Sequence, residues 1–220
     1  MKISPYGEIE VVVPPKFDPQ QLSAILHQKQ AWIEQTLARL AAQRQVNAEP
    51  TTVKPSQIKL RSLDETWEIV YLQSQRDRLQ VIALNAQRLA LAGPSHQVAH
   101  CHSALRQWLK LRAKQALPHW LQQLSQAAQL PYTRVTIRGQ KTRWGSCSSQ
   151  QHISLNYKLL FLPPPLVDYV LIHELCHTQQ MNHSPAFWQS VEQQRPDYQR
   201  SREQLKKAWQ YIPQWLESDG

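Results

Sequence analysis

The first hydrophobic run, Glu8 to Val13, predicts a strand that ends at Pro14-Pro15. Asp18 then precedes Pro19 as a cap, and Leu22, Ile25, Leu26, Ile33, Leu37 and Leu40 follow near helical spacing, which predicts one helix to about Arg44. A polar stretch from Asn47 to Ser56 reads as a loop. The pattern next turns to short β-type runs: Ile58 to Leu63, Trp67 to Leu72, Leu79 to Leu84 and Arg88 to Leu91. Gly93-Pro94-Ser95 stops that series and offers a domain boundary, with Ser95 free to cap the next element.

A long helical pattern runs from about His96 to Gln129, with a kink or break expected at Pro118. Three short strands follow, Arg134 to Arg138, Thr142 to Ser146 and His152 to Asn156. After Pro163-Pro164-Pro165 come helices to about Gln180, from Ser184 to Gln194, and from Asp197 to Tyr211. The expected organisation is α+β, with a small β-rich module carrying one helix over residues 1–93 and a second domain over 94–220.

Composition narrows the classes. With 220 residues, 41% hydrophobic and 19% charged, the chain can bury a sizeable core, so disorder is excluded as its main state. Its 5 glycines fit neither a dinucleotide fingerprint nor a P-loop. Cys101, Cys147 and Cys176 form no C-x-x-C pair, which argues against a disulfide framework and for a reducing, cytoplasmic setting. The opening residues lack the apolar core of a signal peptide, and no apolar run reaches the length of a membrane span, so no membrane partner is expected. The net charge of +9 permits attraction to nucleic acid or acidic substrates, but the basic residues are scattered as on a solvated surface.

The chemistry is concentrated in His173-Glu174-Leu175-Cys176-His177. On a helix, histidines four apart lie on one face and can reach one metal ion, while Glu174 is offset by about 100° toward a metal-bound water. Such a motif arises by chance in roughly two chains in a hundred of this composition. Its setting adds weight, because Leu166, Val167, Tyr169, Val170, Leu171, Ile172, Leu175 and Cys176 leave the helix almost no polar face. A lone ionised Glu buried there costs several kcal/mol, which a bound cation offsets. A catalytic zinc site takes three protein ligands and a water. His183 is the nearest third candidate, provided the chain leaves the helix near Gln180 to Asn182; Glu192 and Asp197 are its rivals. Gln180 stands where a metzincin has Gly, so that class does not fit.

Arg143, Trp144 and Gly145 lie on a strand that could run beside the helix and pair with an extended peptide, Gly145 admitting another backbone closely; a packed core strand with a buried Trp144 accounts for them equally well. Tyr198, His152 and Asn156 are candidate polar stabilisers of a tetrahedral intermediate. Cys147 has no second thiolate nearby to make a metal site.

Thr142 to Ser148, Ile153 to Asn156, Asp168-Tyr169-Val170, the HELCH run, Asn182-His183-Ser184, Phe187-Trp188 and Pro196-Asp197-Tyr198 occur in one order. That series resembles the YgjP-like metallopeptidase family, related to the SprT and WLM zinc proteases, most strongly over about residues 130 to 210. The resemblance implies a gluzincin-like catalytic domain, a short sheet beside the HExxH helix, with His173, His177 and His183 as Zn2+ ligands and Glu174 as the catalytic carboxylate. A zinc-bound water activated by Glu174 would then cleave a polypeptide substrate.

Two other functions stay open. A nucleoside triphosphate pyrophosphatase, a label attached to parts of the family, would use Arg134, Arg138, Lys141 and Arg143 to bind phosphate. A nucleic-acid-associated module with a structural zinc would draw on the net charge, but it needs a fourth protein ligand.

Overall fold

The computed structural model describes residues 1–3, 9–14, 17–45, 53–74, 78–85 and 87–216. The chain forms two compact units, Met1–Ala48 and Glu49–Gly220. In the first, β1 (Lys2–Ile3) pairs antiparallel with β2 (Ile9–Glu10), and α1 (Gln21–Gln28) and α2 (Gln30–Gln45) follow. The expected strand is therefore paired only over Ile9–Glu10; its first residue, Glu8, lies outside the described residues. The expected single helix is divided at Lys29, whose ψ of 6° departs from helical geometry.

In the second unit, β3 (Gln57–Leu60), β4 (Glu65–Leu72), β5 (Gln80–Asn85) and β6 (Arg88–Ala92) form a sheet of order β3-β4-β6-β5. β4 and β6 run parallel and the other neighbours antiparallel. The sequence-based division at 93/94 does not coincide with the compact units, because this sheet belongs with everything that follows it. Gly93 has a φ of +133°, and a Cβ there would meet the Arg78 carbonyl oxygen at 2.7 Å, so the Gly-Pro pair makes a tight turn within one unit.

α3 (Val98–Ala128) runs unbroken through Pro118, where the sequence suggested a kink or break. Cys101, Leu105, Leu109, Ala113, Leu117 and Leu121 form one fully buried row along it, on both sides of the proline. Burial of that row outweighs the cost of about 3 kcal/mol for a proline inside a helix.

The second sheet consists of β7 (Arg134–Arg138), β8 (Gly145–Cys147) and β9 (His152–Asn156) in the order β7-β9-β8, with β7 and β9 parallel and β8 antiparallel to β9. After β9, Tyr157–Phe161 form a buried 3-10 segment that the sequence analysis did not anticipate. Pro164 and Pro165 open α4 (Pro164–Cys176), where a fixed φ suits the first turn. α5 (Pro185–Gln194) and α6 (Tyr198–Lys206) follow, and the last predicted helix continues only as a 3-10 segment, Ala208–Tyr211.

α4 is apolar on nearly every side and packs against α3, α5 and α6. Its polar Asp168 accepts a hydrogen bond from Trp120 Nε1 on α3 at 2.8 Å and pairs with Arg195 after α5, so the helix is tied at both flanks. The architecture is α+β, with six helices and small sheets among the described residues. No helix among them is long and apolar enough to cross a membrane.

Candidate metal centre

His173 lies in the last turn of α4, and the α-helix ends at Cys176, four residues earlier than expected. His177 closes it, and the chain turns away through backbone bonds from Gln179 and Gln180 to the Cys176 carbonyl. Ser184 then caps α5, its Oγ accepting from the Phe187 amide at 3.4 Å. This short exit returns His183 toward the helix end.

The result is a cluster in which one ligating atom each from His173, His177 and His183 lies within 4.8 Å of the others. His183 Nε2 and His173 Nε2 are 3.2 Å apart. A tetrahedral zinc with Zn–N bonds of about 2.0–2.1 Å would separate two ligand nitrogens by about 3.3 Å, so the spacing fits. His177 Nδ1 lies 2.9 Å from the Gln180 carbonyl oxygen, which can only accept. Nδ1 therefore carries the proton, and Nε2 is left with its lone pair, as a metal-ligating imidazole needs.

Aromatic packing orients the rings. Phe187 stacks on His177 with centroids 4.4 Å apart and meets His173 and His183 edge-on at 4.9 Å. Trp188 stacks on His183 at 5.5 Å and is backed in turn by Tyr198, also at 5.5 Å. Tyr198, a candidate substrate residue from sequence, is thus buried behind Trp188 as part of this support.

The electrostatics point the same way. Burial, then the neighbouring His177 and His183, push His173 down to about 3, so it is neutral at ordinary pH. Burial raises the Glu174 carboxyl to about 8, against the opposing pull of the Arg143 guanidinium. Glu174 Oε2 and His173 Nδ1 are both buried without a hydrogen-bond partner. Three converging imidazoles beside a buried carboxyl whose Oε2 has no hydrogen-bond partner form a donor set that a divalent cation satisfies. Among the described residues Glu192 and Asp197 stand outside the cluster, as does Cys147, whose thiol burial and Glu174 push up to about 11.

Gly145 sits against the carboxyl. A Cβ on it would lie 2.7 Å from Glu174 Cγ and Oε1 and 2.9 Å from Cδ. The close approach that the sequence assigned to another backbone is therefore made by a side chain of α4. Gly145→Ala should lower stability by about 1–3 kcal/mol through this overlap, read as a shift in the urea midpoint at unchanged slope. A midpoint equal to the parent's would show that β8 can yield at no cost.

Trp144 is buried and stacks on Trp209 with centroids 4.1 Å apart, while Arg143 is exposed at the rim of a cleft that contains Glu174. Asn156 is fully buried. Its Nδ2 donates to the Gln140 and Arg143 carbonyls at 2.8 Å, and its Oδ1 accepts from the Lys158 amide at 3.1 Å. With its amide so engaged, it holds the 140–143 loop rather than facing a substrate, contrary to the sequence-based expectation. Sequence reasoning missed Tyr169, Val170 and Leu205, which line the same cleft. Tyr169 stands four residues before His173, so helical spacing alone could have placed it on the histidine's face.

Residues 1–208 match the model of the YgjP-like metallopeptidase domain. Among solved structures, the metallopeptidase zymogen of Pyrococcus abyssi abylysin is similar at 26% identity, over 39% of this chain and 87% of that one, with a TM-score of 0.36. No curated protein matches. Since the family match takes in the first compact unit, most of the second and all three clustered histidines, the chain belongs to the YgjP-like metallopeptidase family.

Proposed function

We propose that this metallopeptidase is a zinc enzyme with a gluzincin-like catalytic domain, in which His173, His177 and His183 hold the ion and Glu174 is the general base and acid. The observation that carries the reading is the convergence of the three histidines beside a buried carboxyl whose Oε2 has no hydrogen-bond partner. The set differs from the His2Glu ligands of thermolysin in its third member. When bound, zinc supplies Lewis acidity toward a carbonyl oxygen and toward water.

Glu174 accepts the proton of the attacking water and returns it to the departing amine. Gly145 leaves the space in which that carboxyl sits. β8 is an outer strand of its sheet, paired on one side to β9, and its other edge suits an extended polypeptide backbone. His177 Nδ1, bonded to the Gln180 carbonyl, keeps that ring from turning.

His183→Ala should weaken zinc binding more than 100-fold, beyond what loss of a ligand's hydrogen-bond partner costs, while Glu192→Ala and Asp197→Ala should leave it unchanged in a chelator competition. A damaging Asp197→Ala would make the third ligand a carboxylate.

Triphosphate hydrolysis makes a different demand. Arg134 and Arg138 are on β7, at the opposite edge of the sheet from β8. Arg143 alone of the four basic candidates borders the cleft. A structural zinc module would need a fourth protein ligand, and the cluster among the described residues has three. The zinc-loaded protein should cleave an unfolded polypeptide, and joint charge reversal at Arg138 and Lys141 should leave that rate at the parental value. Robust triphosphate turnover with no peptide cleavage, lost on the same charge reversal, would replace the peptidase reading.

A further inference from the structure

We propose that the cavity beside Glu174 is a specificity pocket for a large apolar side chain, aromatic or branched aliphatic, on a substrate residue adjoining the scissile bond. The inference rests on the peptidase reading above and adds the class of substrate. Trp144, Gly145, Tyr169, Val170 and Leu205 form most of the lining, and Arg143 stands at the rim. His173 and Glu174 belong to the same lining, so whatever fills the cavity is held next to the reacting carbonyl.

Size and chemistry select the occupant. The cavity measures about 200 Å³. An apolar protein cavity of about 150 Å³ is already enough to admit benzene, so a phenyl ring or a leucine side chain fits here. A carboxylate or amide in its place would be desolvated among Trp144, Val170 and Leu205 at a cost of about 1–3 kcal/mol or more. A lysine or arginine would bring a second cation against Arg143.

The walls are braced. Trp144 stacks on Trp209, Tyr169 and Val170 are 4% and 3% exposed, and Leu205 is carried on α6, which packs on α4. A pocket held by two helices and a stacked indole is preorganised to discriminate by shape.

Mapping the cleavage sites of the zinc-loaded full chain on an unfolded protein should show Phe, Tyr, Leu or Ile enriched at one flanking position, with Lys and Arg depleted there. Leu205→Trp narrows the cavity, and the kcat/KM ratio of a Phe-containing peptide to its Ala counterpart should fall about 10–100-fold. Leu111→Trp, at an exposed position on α3, should leave that ratio unchanged. If Leu205→Trp does not fold, Leu205→Ala should raise the ratio of Trp- to Leu-containing peptides.

Binding gives a readout free of turnover. The zinc-loaded Glu174→Gln protein should bind the Phe peptide at least about tenfold more tightly than the Ala peptide by calorimetry. Glu174-dependent cleavage with no flanking preference, or ratios that ignore Leu205, would overturn the pocket alone. Absence of any Glu174-dependent peptide cleavage would overturn the peptidase reading and the pocket with it.

Discussion

Glu174→Gln is expected to keep one zinc per chain and to lose peptide hydrolysis by about 10³–10⁴-fold, the upper range for removal of a general base. The amide has the carboxylate's shape, so it still fills the space that Gly145 leaves, but it cannot take a proton from water. The same change should have an opposite effect on the metal-free fold. Burial raises the Glu174 carboxyl from 4.5 to about 8, so the folded state favours the protonated form. In the metal-free parent this carboxyl removes stability as pH rises from about 4.5 to 8, while His173, held down to about 3 from 6.5, adds stability up to about 6.5, so the net loss falls between about pH 6.5 and 8. Metal-free Glu174→Gln should show no such loss and should be more stable than the parent at pH 8. Parental peptidase activity in the variant would remove Glu174 from the mechanism. A parent whose melting temperature is flat between about pH 6.5 and 8 would show that the buried carboxyl is otherwise satisfied.

Zinc should vanish from His173→Ala and His177→Ala proteins, and activity with it, whereas the parent should contain close to one zinc per chain by elemental analysis. Each imidazole contributes one of three protein donors, and the two that remain do not hold the ion without the third. Excess zinc should also raise the parent's unfolding free energy, by about 4 kcal/mol at a concentration one thousand times Kd. Neither variant should show that rise. His177→Ala should be the more damaging to the metal-free fold, because it also removes the hydrogen bond to the Gln180 carbonyl that shapes the exit from α4. No zinc in metal-replete parent protein would overturn the assignment of the cluster.

Much of the site was readable along the chain because it is made by local spacing. Histidines at 173 and 177 share a helix face whatever surrounds them, and Ser184-Pro185 caps and opens α5 by local rules. The need for a helix exit after His177 followed from the same geometry, although the α-helix ends at Cys176 rather than near Gln180. The strands from β3 to β9 appear near their expected positions because short β-branched and aromatic runs were bounded by turn residues.

What the spacing could not contain is which distant groups meet. Pro118 stays inside α3 because a buried row of side chains on both sides holds the helix together, an energy that exists only after packing. The sheet before Gly93 joins the same compact unit as α4, although the Gly-Pro pair looks like a boundary when read alone. Asn156 binds the 140–143 loop instead of a substrate, and Gly145 makes room for Glu174 instead of a second backbone. Tyr169 and Leu205, 36 positions apart, become walls of one cavity only when α6 packs on α4. The sequence by itself determined the residue types of the candidate metal site and their helix, since those depend on backbone periodicity. The tertiary structure alone decided the aromatic packing around the rings, the contact of Glu174 with Gly145 and the pocket beside it, since these depend on contacts between residues that have no fixed separation along the chain.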